Sequence, residues 1–241
     1  MKKHVIIACA AIALISGSSF RLLTDCSTFE QFTKGATFTT TNYNSDSKPQ
    51  SSVEGTVREV TATGDKTIAN VDVIMKDGTG KETGTATYDL TCSGGSYMMD
   101  MKAFATQQAA HSGAKDMTMS IEGDMMEYPA GMTAGQVLPN GSVTMTMSKD
   151  NSVVSTTTII IKDRKCEKVE SKTTPAGTWE CYKITYTVDG TMKMGTISMP
   201  IPARTATEWF SFKVGSVRTE SYKKGKLESY SELTAFKKPT Q

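Results

Sequence analysis

The chain has 241 residues and a mass of 26.0 kDa, with 38% apolar residues, 22% charged residues and a formal net charge of +2. That apolar share closes a core at this length, and the small net charge argues against disorder and against a basic nucleic-acid-binding face. There are two histidines, His4 and His111, which excludes multi-histidine metal centres and leaves little for a His-based triad.

Chain order begins with an address. Met1 to His4 is a short basic opening, Val5 to Ile15 is an apolar run, and Ser16, Gly17, Ser18 and Ser19 are small. This is the layout of a secretory signal peptide over residues 1–19, with cleavage after Ser18 or Ser19. The apolar run is shorter than the ~20 residues that span a bilayer, and no later segment is long and apolar enough to do so. The protein is expected to be exported, periplasmic or secreted. Lipidation at Cys26 is not expected, because Leu23-Thr24-Asp25 precedes it and the charged Asp25 is wrong for that modification. Residues 20–241 read as one β-rich domain.

Without the leader, four cysteines remain: Cys26, Cys92, Cys166 and Cys181. An oxidising compartment permits disulfides among them, and spacing leaves three pairings open. Cys26–Cys92 is favoured because each borders an expected strand. Cys166 and Cys181 flank a hairpin. A turn at Thr174-Pro175-Ala176-Gly177 sets Cys166 opposite Thr185 and Cys181 opposite Glu170, with the sulfurs ~13 Å apart at 3.3–3.4 Å per residue. A bond between them then needs a bulge or another register.

Strand residues dominate. The chain has 36 threonines, a residue suited to pleated, half-buried surfaces. Strict alternation recurs at Met117, Met119 and Ile121, at Val143, Met145 and Met147, and at Tyr182, Ile184, Tyr186 and Val188. One apolar and one polar face per strand marks an antiparallel sheet. Turn signals at Asp77-Gly78, Pro175-Ala176-Gly177, Asp189-Gly190 and Lys224-Gly225 join consecutive strands into a meander. Met101–Ala110 is rich in helix formers, follows Asp100 as an N-cap and stops at Ser112-Gly113, which predicts one short helix packed across the sheet. Residues 128–141, with two prolines and three glycines, predict a long loop between two halves, crossing one edge of a continuous sheet.

The C-terminal third carries a resemblance. Thr174-Pro175-Ala176-Gly177-Thr178-Trp179-Glu180-Cys181-Tyr182-Lys183-Ile184, then Glu208-Trp209-Phe210, Val214-Gly215-Ser216-Val217-Arg218 and Ser231-Glu232-Leu233 are similar to signatures of the TapB-like group of exported bacterial proteins, related to the domain of unknown function numbered 3108. Lys34-Gly35-Ala36, Cys92-Ser93-Gly94-Gly95 and Met99-Asp100-Met101 resemble its N-terminal half. The resemblance implies a mainly β fold, a strongly curved antiparallel sheet or half-barrel. It implies no reaction and no catalytic residues. An aliphatic residue is expected where Cys166 stands. Physically, Pro175 and Gly177 pre-form the hairpin, while Trp179, Tyr182 and Trp209 bring apolar area to the sheet.

Catalytic chemistry finds little support. His111 beside a helix end reads as a dipole cap, and no G-x-S-x-G occurs. The carboxylates Glu122, Asp124, Glu127, Glu167 and Glu170 read as surface charge. Asn44–Ser47 and Asp77–Thr79 lack a calcium-loop pattern. No metal or cofactor is expected. The 15 methionines stand out, because Met is adaptable and polarizable and suits surfaces that receive varied apolar ligands. The sequence therefore predicts a non-enzymatic envelope protein whose Met117, Met119, Met145 and Met147 line a concave face for a lipid or other apolar molecule. A structural or surface-interaction protein whose Met rows are all core is the alternative, with an exported hydrolase third.

Overall fold

The structure is a computed structural model that describes residues 26–101, 118–150 and 152–239. The expected leader, the expected helix beyond Met101, His111 and Met117 lie outside the described residues.

Thirteen strands form a single antiparallel sheet. They are β1 Thr37–Asn44, β2 Pro49–Thr63, β3 Lys66–Asp77, β4 Glu82–Ser93, β5 Ser96–Asp100, β6 Thr118–Gly123, β7 Met125–Tyr128, β8 Gly141–Lys149, β9 Ser152–Thr174, β10 Gly177–Met194, β11 Ile197–Ser211, β12 Gly215–Lys223 and β13 Lys226–Lys237. The spatial order is β6-β8-β9-β10-β11-β12-β13-β1-β2-β3-β4-β5-β7. Two meanders, β1–β5 and β8–β13, thus lie side by side through the pairing of β1 with β13.

The edges of this sheet dictate its shape. Its first and last strands in space, β6 and β7, are separated in sequence by Asp124 alone. One residue reaches only ~3.3–3.6 Å, so the sheet must curl until its edges meet, giving a nearly closed, barrel-like form. Asp124 fastens that corner: its N–H donates to the Ser142 carbonyl at 2.9 Å, its carbonyl accepts from the Met101 N–H at 3.1 Å, and its Oδ2 accepts from Ser142 Oγ at 2.6 Å.

Alternation places the core on the concave face. Ala69, Val71, Val73 and Met75 of β3 are buried at every second position, and β4 ends in a buried run of Leu90, Thr91 and Cys92. One end is plugged by two 3-10 turns, Cys26–Thr28 and Glu30–Phe32. Their Phe29 and Phe32 rings pack on Tyr97, and Phe29 also meets Phe212 at 5.4 Å. The Gln31 amide donates to the Val214 carbonyl. A Cys26–Cys92 disulfide, with Cα atoms 5.8 Å apart, ties this plug to the end of β4.

Two sequence expectations change in register. Asp189-Gly190 makes no reversal: β10 runs through it to Met194, with an irregularity between Val188 and Gly190 in its pairing with β11. Gly is needed there because a Cβ would stand 2.1 Å from the Thr158 carbonyl oxygen. The reversal follows instead at Gly195, whose φ is +58°. Cys181 does face Glu170, but Cys166 faces Ile184 rather than Thr185, because β9 is irregular between Cys166 and Lys168. Both thiols are free and buried. After Tyr128 the chain runs against β9: Val137 bridges Lys165, Leu138 N–H donates to the Arg164 carbonyl at 2.8 Å, and Cys166 N–H to the Gln136 carbonyl at 2.9 Å.

Replacing Gly190 by Ala should force backbone movement and cost about 1–3 kcal/mol, read as a lower urea midpoint; a neutral outcome would contradict the close strand approach. Replacing Cys26 and Cys92 by Ser should cost about 2–4 kcal/mol, and the same loss should follow when the wild-type protein is reduced.

Candidate functional site

The concave face holds a partly open cavity of about 500 Å³, within the ~300–1,000 Å³ of small-molecule sites. Nearly every strand of the barrel contributes to its wall. The apolar part includes Phe38 of β1, Val53 of β2, Met75 of β3, Leu90 of β4, Met99 of β5 and Met126 of β7. The polar part carries Ser, Thr and Asn side chains from β1, β2, β12 and β13, Gln31 of the plug, Glu208 of β11 and the tyrosines Tyr88, Tyr97 and Tyr186.

One carboxylate lines the cavity among the described residues, that of Glu208 on β11, and it is 4% exposed. Tyr128 Oη donates to both of its oxygens, at 3.0 and 3.2 Å. Burial pushes the Glu208 carboxyl above the usual carboxylate range, against the opposing pull of Arg164 and of hydrogen bonds from Ser216 and Tyr128. Burial and the neighbouring Glu208 hold the Tyr128 phenol well above its ordinary range, so it remains a donor.

Behind Tyr128 sits Arg164, fully buried, its guanidinium carbon 4.8 Å from the Tyr128 ring centroid. Arg164 Nη1 donates to the Glu127 carbonyl at 2.9 Å and to the Pro139 carbonyl at 2.6 Å. The first carbonyl belongs to the edge strand β7 and the second to the loop leading into β8, so Arg164 stitches the seam where the sheet's edges meet. Its Nε and Nη2 have no partner among the described residues. Tyr97, Tyr128 and Phe210 complete this interior, with Tyr128 and Phe210 stacked at 4.0 Å.

The methionines singled out from sequence occupy the continuation of this same face. Met119 of β6 pairs with Met147 of β8, and Ile121 with Met145. Across β9 and β10 the rows lead to Met192, which faces Met199 of β11. Met145 packs against the core, whereas Met119 is 36%, Met199 42% and Met194 47% exposed. Along β9, Ile161 lines the cavity and Ile159 packs against the core beside the Met rows. The cavity wall itself uses Met75, Met99 and Met126 in place of Met119, Met145 and Met147. Alternation in β3 could have signalled Met75, which the sequence reading missed; nothing local ties Glu208, Tyr128 and Arg164 together, since they lie on three separate strands.

The hairpin motif lies elsewhere. Gly177, with φ +141°, lets the turn pass close to the Trp179 ring. Trp209 faces away from the cavity, between Lys183 and Arg218 in register. Its Nε1 donates to Glu170 at 2.8 Å and Lys172 Nζ stands 3.8 Å from its ring. Trp179 meets Phe236 at 5.9 Å. Pro175, Gly177, Trp179, Cys181 and Trp209 thus build the hairpin and its cover, away from the cavity. Burial pushes the Cys181 thiol up to about 12 and raises that of Cys166, which leaves neither as a neutral-pH nucleophile. Among the described residues no three His, Cys, Asp or Glu side chains are grouped to hold a metal ion.

A family model described as DUF3108-like matches residues 33–233. No curated protein matches. Among solved structures, the chain is similar to a protein of Parabacteroides distasonis ATCC 8503 provisionally described as a lipoprotein, at 25% identity and TM-score 0.72, covering 87% of this chain and 98% of that one. It is also similar in fold to a protein of Bacteroides fragilis NCTC 9343 provisionally described as exported, with a YmcC-like fold, at 24% identity and TM-score 0.67, covering 85% and 96%. Among the described residues no helix is long and apolar enough to cross a membrane.

Because burial raises the Glu208 pKa, the folded state holds its proton more tightly than the unfolded chain. That contribution to stability is complete below the ordinary value of 4.5 and is lost as pH rises through the folded value. Glu208→Gln removes the titration, so the urea midpoint of the variant relative to wild type should climb as pH increases above 4.5. A difference that stays flat would mark Glu208 as an ordinary carboxylate.

Proposed function

The chain belongs to the DUF3108-like family, and we propose that it is an exported, non-enzymatic protein of the cell envelope that binds an apolar small molecule within its curved sheet. One observation carries this reading: strands from both meanders converge on a cavity of about 500 Å³ whose wall is largely apolar. A concave, mostly apolar wall with a few convergent polar groups is the form small-molecule sites take. The Met rows through Met119, Met145 and Met147 support the same reading, since they extend the cavity's face toward exposed positions. A flexible thioether surface accommodates chains of varied length and shape. The residues present argue against hydrolysis: Glu208 in the cavity wall is bonded to Tyr128, and the two free thiols, Cys166 and Cys181, lie outside the lining and are held protonated by burial.

Native mass spectrometry of the purified protein should reveal a co-purifying apolar species. Met75→Trp and Leu90→Trp, which fill the cavity from two strands, should each remove that species and weaken binding of the apolar dye N-phenylnaphthylamine by about tenfold while the circular dichroism stays that of a β protein. Absence of any bound species together with no dye binding by the wild type would defeat the reading.

A further inference from the structure

The polar side chains in the cavity are not scattered. Register places Glu208 of β11 opposite Thr219 of β12, Thr219 opposite Ser231 of β13, Ser231 opposite Asn42 of β1, and Asn42 opposite Ser51 of β2. All five line the cavity. They form one transverse row that starts at a buried carboxylate and runs across five strands. Ser221 and Ser229, a facing pair, lie one step further along the same strands and also line the cavity. On the other side of the row Leu233, Thr40, Val53 and Met75 succeed one another across β13, β1, β2 and β3, and three of these four are apolar.

Asn42, Ser51, Thr219 and Ser231 are half-buried and Glu208 is buried, so a ligand that displaced water from this row would have to supply hydrogen-bond partners in its place. The protein supplies only some of them: Asn42 Nδ2 donates to Ser51 Oγ at 2.9 Å, Thr219 pairs with Ser216 at 3.2 Å, and Tyr128 donates to Glu208. The charges are just as specific. Among the described residues the lining contains no Lys, Arg or His, and Glu208 is its sole carboxylate. Arg164 stands behind the Tyr128 ring, outside the lining. An anionic head would therefore meet a carboxylate and no cation. A cationic head would find that carboxylate already opposed by Arg164 and held by Tyr128.

We infer that the cavity takes an amphiphile with an uncharged, hydroxyl-bearing head, the hydroxyls bonding along the row from Glu208 to Ser51 and the hydrocarbon lying on the Met75 and Leu90 side. This deepens the binding role proposed above and rests on it. Hydroxyl groups both donate and accept, which suits a row of hydroxyls and an amide ending at a carboxylate acceptor.

Three probes of equal chain length separate the head groups: monolauroylglycerol, lauric acid and dodecylammonium, titrated against the exported chain by calorimetry. Monolauroylglycerol should bind at least about tenfold more tightly than either charged probe. Ser231→Ala and Glu208→Leu should each lower its affinity about tenfold more than they lower that of N-phenylnaphthylamine; Ser231→Ala, which removes only the hydroxyl, serves if Glu208→Leu does not fold. Equal or tighter binding of the acid or the amine overturns the head-group assignment, as does failure of all three lipids while the dye still binds. Failure of the dye as well removes the underlying binding role instead.

Discussion

The structure depends on closing a sheet whose two edges are chained together. Asp124 joins β6 to β7, so the edges arrive side by side, yet they belong to a corner of the chain and the ladder ends at each of them. Exposed strand edges carry unpaired carbonyls that need partners when buried. Arg164 meets that need from the neighbouring β9, giving its Nη1 protons to carbonyls on both sides of the seam. A guanidinium is suited to this, because its planar fork reaches two acceptors at once and never loses its charge.

That solution has electrostatic consequences throughout the interior. A buried cation costs several kcal/mol unless it is compensated. Compensation comes through Tyr128, whose ring faces the guanidinium and whose hydroxyl bonds to Glu208. The charges are separated by an aromatic ring rather than joined directly. Glu208 is left on the cavity side, where burial opposes its ionisation. The same three residues thus close the barrel and place one polar anchor inside it, so the chemistry of the cavity is tied to the geometry of the seam.

The outer face carries a second, separate layer. Trp209, Lys172, Glu170 and Lys183 pack together there, and Arg218 pairs with Glu220 and Glu232 while lying 4.0 Å from the Tyr230 ring centroid. The Lys172 ammonium stands over the indole face, where the ring quadrupole attracts a cation. The hairpin motif around Pro175 and Gly177 belongs to this layer. Its aromatic and glycine residues serve the folding of the C-terminal meander, and the cavity draws on other residues.

Much of this was legible in the residues themselves. Period-two alternation and the Lys224-Gly225 and Pro175–Gly177 turns determined antiparallel hairpins, because side-chain direction and turn backbone are local properties. The bond between Cys26 and Cys92 was favoured from their positions at element ends. Other features required the folded chain. Asp189-Gly190 reads locally as a reversal, yet it lies within β10, since Gly there answers to the Thr158 carbonyl of a neighbouring strand. Met119, Met145 and Met147 announce an apolar face by alternation, but which methionines border enclosed space follows from curvature, and curvature follows from the Asp124 corner. Glu208, Thr219, Ser231, Asn42 and Ser51 are spread over the chain and become one row through strand register alone. Local pattern determined which face each strand turns inward; only the pairing of distant strands decided which inward-facing residues meet, because hydrogen-bonded ladders act across the sheet and leave no periodic mark along it.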